Sequence, residues 1–188
     1  TGRDVQVDMA GADLAIAAEY GEGVLRGLER FPAARLSSVH TYGPRGARRD
    51  VPGFGDSYAV TSHGDRGDAI GFNTRGGPEG LRLSMREAQE SGHLVAGTPM
   101  GAALHEMGHV VASQSNAESG AFTIASHASS TQSVASTIRS GVSGYAATSR
   151  DELAAEAFAD VMANGASASS LSRQIMDHIQ SAYDSVSG

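Results

Sequence analysis

Apolar residues recur at helical spacing between about Asp8 and Glu29, where Leu14, Ile16, Ala17, Val24, Leu25 and Leu28 supply one face. The run ends at Phe31-Pro32, since proline cannot continue a helix. Gly21 and Gly23 interrupt the pattern, which predicts a kink or a split. Leu36 to Tyr42 has the character of a short strand, and a loop rich in Gly, Pro and Arg follows through Gly55. Two further strand-like runs, Ser57 to Thr61 and Ala69 to Asn73, are joined by His63-Gly-Asp-Arg-Gly-Asp68, whose glycines and aspartates suit a hairpin turn.

Pro78 to Ser91 is ambiguous. Leu81-Arg-Leu-Ser-Met85 alternates as a strand would, whereas Arg86-Glu-Ala-Gln-Glu90 has helix-forming composition. A Thr98 cap, Pro99 at the first helical position and apolar residues through Val110, Val111 and Ala112 predict a buried helix from about Thr98 to Ser113. Ser115 to Ser143 is rich in Ser, Ala and Gly. Its apolar-periodic piece near Val134 to Ile138 fits a short helix in a lid, or a tolerant connection. Leu171, Ile175, Met176, Ile179 and Tyr183 predict a final core helix over Ser170 to Tyr183.

Composition narrows the picture. A chain of 188 residues with 40% apolar content suits one domain spanning 1–188. The formal charge of −7 and the lack of a dense basic cluster argue against nucleic acid as a partner, Arg45, Arg48 and Arg49 reading as a solvated loop. Without cysteine there is neither a disulfide nor a thiolate metal site, and the compartment stays open. No apolar run approaches the roughly eighteen residues that span a bilayer. A chain beginning at Thr1 is expected to be a processed product or an excerpt, secreted or part of a larger phage or toxin polypeptide.

Residues 105 to 109 read His-Glu-Met-Gly-His. On a helix, positions i and i+4 share a face, so His105 and His109 can converge on one ion. Glu106 lies about 100° further round, where its carboxylate addresses a water and not the metal, as a general base must. Chance would produce this HExxH pattern roughly one or two times in a hundred such chains, so its context decides. Two buried imidazoles and a carboxylate inside an apolar helix need partners, and a metal supplies them. The remaining histidines, His40, His63, His93, His127 and His178, are isolated and read as surface or capping residues.

The third ligand lies elsewhere, because Ala112 and Ser115 stand where a metzincin continuation needs Gly and His. Downstream, Glu152, Glu156 and Asp160 recur every fourth residue and form one carboxylate stripe among small apolar residues on a second helix. A facing metal would explain that stripe. Ser149-Arg-Asp-Glu152 also fits a capping box that would occupy Glu152, whereas Thr148 as cap with Asp151 three residues on leaves Glu152 free.

The pairing of HExxH with a later glutamate resembles the gluzincin metalloproteases. The string from Tyr145 through Glu152-Leu-Ala-Ala-Glu156-Ala-Phe is similar to the anthrax lethal factor-type catalytic domain, over roughly residues 98–164, about a third of the chain. The resemblance implies an α+β zincin-like domain with a small sheet on its N-terminal side and helices carrying the metal. It makes Glu152 the third zinc ligand in preference to Glu156, Glu156 an orienting partner for a ligand histidine, and Tyr145 a donor near the reacting carbonyl. It also implies a substrate chain extended along an edge strand, for which Asp68 to Asn73 is the candidate.

The expected function is zinc-dependent hydrolysis of peptide bonds in a protein or peptide substrate, with Glu106 as base. Two alternatives share the residues: hydrolysis of a non-peptide amide, and a non-catalytic zincin fold kept as an assembly or interaction module.

Overall fold

The computed structural model describes residues 4–42, 57–74 and 76–188. The expected loop through Gly55, with Arg45, Arg48 and Arg49, lies outside them. Among the described residues all strands precede residue 74: β1 (Gln6–Asp8), β2 (Leu36–Tyr42), β3 (Ala59–Ser62) and β4 (Asp68–Asn73). They form one sheet in the order β1-β2-β4-β3, with β1, β2 and β4 parallel and β3 antiparallel to β4. The fold is therefore α+β with a mixed sheet built from the N-terminal part of the chain. β4, the expected edge strand, is interior, paired on both sides. Among the described residues the edge on that side is β3, the other arm of the hairpin.

The first helix, α1 (Leu14–Arg30), starts later than its periodicity suggests, because Asp13 caps it by accepting from the Ala15 and Ile16 amides. It does not split: one uninterrupted helix runs through Gly21 and Gly23. Its buried stripe is Ile16, Tyr20, Gly23, Val24 and Gly27, while Leu14 and Leu25 of the expected apolar face are exposed. Gly23 and Gly27 let α3 (Pro99–Ser115) approach closely: a Cβ on Gly23 would stand 2.6 Å from the Ala103 Cβ, and one on Gly27 2.8 Å from Met107. Tyr20 stacks on Phe72 at 3.9 Å between centroids and so joins α1 to the sheet.

Pro78–Ser91 resolves as helix, α2 (Gly77–Glu90), in which Leu81 and Met85 are buried at i, i+4 and Leu83 is exposed. The segment after α3 is not a bare connection. It folds as α4 (Glu118–Ala128), which buries Ala121 and Ala125, and α5 (Val134–Gly141). α6 (Arg150–Asn164) and α7 (Ser170–Ser187) complete the chain. α3 is buried nearly all round, packed against α1, α6, α7 and β3, and the core runs continuously from the sheet to Tyr183. Among the described residues no helix is long and apolar enough to cross a membrane.

Candidate metal centre

Thr98 caps α3 by accepting from the Gly101 amide at 3.0 Å, Pro99 follows, and Asn116 ends the helix at φ 55°, in the left-handed conformation asparagine tolerates. Within that helix His105 and His109 stand one turn apart, with ring centroids 4.8 Å apart and their Nε2 atoms 3.1 Å apart. α6 crosses beside them. The approach is set by Gly108, since a Cβ there would lie 2.8 Å from the Ala155 Cα.

α6 is capped by Ser149, whose Oγ accepts the Glu152 amide at 3.1 Å, and not by Thr148, which turns back to the Tyr145 carbonyl. The two capping registers were not exclusive alternatives for Glu152. Its backbone serves the cap while its side chain leaves the helix, and Oε2 comes to 3.0 Å from His105 Nε2 and 3.3 Å from His109 Nε2. The tertiary fold thus brings the three expected ligands together.

Three atoms about 3 Å apart suit an ion between them. Ligands at about 2.0–2.2 Å in a tetrahedron stand roughly 3.3–3.6 Å apart, so the cluster needs to open by only a few tenths of an ångström. Glu152 Oε2 is buried and within ion-pair distance of both imidazoles, yet it takes part in no hydrogen bond. A buried carboxylate oxygen in that condition is costly, and a cation would satisfy it.

The surroundings prepare the histidine. His105 Nδ1 lies 2.9 Å from Glu156 Oε1, and because a carboxylate only accepts, Nδ1 carries the hydrogen and Nε2 faces the cluster. Glu156 is itself filled: Oε2 accepts from Ser143 Oγ at 2.7 Å and from the Val95 amide at 3.0 Å. Both of its oxygens are thus engaged, and it is not one of the three residues that converge. Burial would lower the His105 pKa, but the Glu152 and Glu156 carboxylates outweigh it and raise the value from 6.5 to about 10. Burial likewise pushes Glu152 up, and the two histidines reverse this and hold it well below the ordinary range.

Tyr145 donates its hydroxyl to Glu152 Oε1 at 3.0 Å, and its ring stacks near that of His105 at 5.6 Å. Burial, then the Glu152 charge, raise its pKa above the ordinary value, so it stays a donor. Glu106 is buried, with Oε2 accepting from Thr61 Oγ1 at 2.7 Å. Asp160, the last of the acidic stripe, does not face the cluster. It accepts from the Ser169 amide and Asn164 Nδ2 and so joins α6 to α7.

Two hollows flank the centre. A polar one of about 450 Å³ lies along β3 and includes Thr61, His63, Glu106, His109 and Glu152. A mainly apolar one of about 250 Å³ is walled by Tyr58, Leu94, Val95, Ala102 and Tyr145. His63 stands 3.3 Å from Asp68, and His93 lines the apolar hollow beside the Tyr145 ring. Thr61, Ser143 and the Val95 amide carried no signal in the sequence: they are common groups on distant segments, with no spacing to mark them. No family model matches the chain, and no curated protein or solved structure matches it significantly.

Proposed function

We propose that the chain is a zinc-dependent metallopeptidase of zincin-like, gluzincin type, acting as one domain on a protein or peptide substrate. The observation that carries this reading is the convergence of His105 Nε2, His109 Nε2 and buried, unbonded Glu152 Oε2, with Glu106 beside them in an open hollow. His105, His109 and Glu152 hold the ion and Glu156 orients His105. Bound there, zinc supplies Lewis acidity, lowering the pKa of a water towards neutral and polarising a carbonyl.

The rest is done by the chain. A substrate segment adds to the edge of β3, unpaired among the described residues, which replaces β4 in that role, and seats an apolar side chain in the hollow beside Tyr58 and Val95. Glu106 takes a proton from the attacking water as its oxygen bonds to the carbonyl carbon. The same proton passes to the amide nitrogen as the C–N bond breaks, giving an amine and a carboxylic acid, whose remaining proton then goes to the amine or to solvent. Tyr145 orients Glu152, and a turn of its hydroxyl from Oε1 would let it donate to the carbonyl oxygen. A non-catalytic assembly module would need neither a held base nor a hollow reaching it.

Metal analysis of the purified protein, followed by peptide-library cleavage with and without chelator, tests the reading. About one zinc per chain and chelator-sensitive cleavage are expected; a protein that binds no zinc overturns it.

A further inference from the structure

Only one oxygen of Glu106 has a partner among the described residues. Oε2 accepts from Thr61 Oγ1 at 2.7 Å, and the same hydroxyl lies 3.2 Å from the Glu106 carbonyl oxygen. A hydroxyl has one hydrogen to give. The shorter, charge-assisted bond to the carboxylate takes it, since the carbonyl is already engaged by the α3 ladder. Thr61 is well fixed for this work. It belongs to β3, pairs with Ile70 of β4, and is β-branched, so its χ1 has few choices. The donor is therefore a stiff group on the sheet edge, and the acceptor is a buried carboxylate on a different element, 45 residues along the chain.

We infer that Thr61 is the positioning residue of the base: it engages Oε2 and so leaves Oε1 as the oxygen that exchanges the proton. The inference rests on the proposed hydrolytic reading and deepens it. Because β3 is also the strand to which the substrate chain adds, one hydroxyl ties the docking edge to the base, and a segment paired with β3 meets a carboxylate already in its working rotamer. A mere tether between sheet and helix would serve stability alone, with no effect on turnover.

Thr61→Val keeps the shape and the strand preference while removing the hydroxyl, and Thr61→Ser restores it. In metal-free protein labelled with 13C at glutamate carboxyls, the Glu106 resonance is assigned by its loss in Glu106→Gln. It should move in Thr61→Val and stay close to its wild-type position in Thr61→Ser. All three proteins should bind one zinc per chain. Against a cleaved library peptide, Thr61→Val should lose about tenfold or more in kcat, the usual scale for an outer partner, with KM within about twofold. Thr61→Ser should recover kcat to within about threefold. An unmoved Glu106 resonance, an unchanged kcat or a loss confined to KM in Thr61→Val would each overturn the assignment. A wild-type protein that binds zinc but cleaves no peptide overturns the hydrolytic reading instead, and Thr61 is then a tether.

Discussion

Glu152 and Glu156 are the same residue one helical turn apart on α6, yet their surroundings give them opposite work. Glu156 has two oxygens filled by His105, Ser143 and the Val95 amide, whereas Glu152 keeps a buried oxygen without a hydrogen bond. Glu152→Ala should therefore abolish stoichiometric zinc binding, as should His105→Ala or His109→Ala, while Glu156→Ala weakens affinity by roughly 10- to 100-fold. Zinc titration ranks these variants directly, and equal losses at the two glutamates would contradict the assignment. Glu106→Gln should keep the zinc and lose turnover by a factor on the order of 10². The metal-free protein carries a pH signature as well. His105 is raised from 6.5 to about 10 in the folded state, so its contribution to stability is complete below 6.5 and vanishes as pH rises through about 10. Glu152 is lowered from 4.5, so its contribution is present above 4.5 and is lost as pH falls towards the lowered value. From these two groups, the chelated protein should melt highest between about pH 4.5 and 6.5 and lose melting temperature towards pH 10. Glu152→Gln should flatten the alkaline limb; a melting temperature rising from pH 7 to 10 would show that the coupling has the wrong sign.

Glycine decides how closely the elements meet. At Gly108 an added Cβ would stand 2.8 Å from the Ala155 Cα and 3.0 Å from the Ala155 carbonyl oxygen, and backbone cannot swing aside as a side chain can. Alanine would gain about 1 kcal/mol of helix propensity but force an overpacked contact costing about 1–3 kcal/mol, so Gly108→Ala should lower the melting temperature by a few degrees. It should also weaken zinc binding, because α6 carries Glu152. Gly21 of α1 has nothing within 4 Å of a built Cβ, and Gly21→Ala should raise stability by about 0.5–1 kcal/mol. Melting the pair side by side separates contact from propensity. Legibility of the elements follows the same physics. Leu36–Tyr42 could be read as a strand from composition, but Leu81, Leu83 and Met85 imitate a period of two although only Leu81 and Met85 are buried, one turn apart. α4 escaped notice because it buries alanines, and its role in the core depends on the helices that face it.

The whole molecule gathers its centre from α3, α6, β3 and the connections before α3 and α6, so an ion that binds them should oppose unfolding of the entire chain. Zinc at about a thousand times its dissociation constant should add about 4 kcal/mol, seen as a rise in melting temperature that a chelator reverses and His105→Ala abolishes. No shift on saturation would mean that the cluster is not a metal site of the folded protein. The amino-acid sequence by itself determined what lies within one helix: the 3.6-residue period set His105, Glu106 and His109 in their directions, and Thr98 and Pro99 set the start of the helix that holds them. It also determined that Leu36–Tyr42 and the hairpin after it are strands upstream of the histidine helix, and that Glu152 and Glu156 share a face. Only the tertiary structure decided which glutamate meets the histidines, that β4 is interior with β3 the edge among the described residues, and that a threonine 45 residues away holds Glu106. Spacing inside an element is enforced by its own hydrogen-bond ladder, whereas contacts between segments depend on how closely whole faces pack, and here contacts at Gly23, Gly27 and Gly108 set that approach.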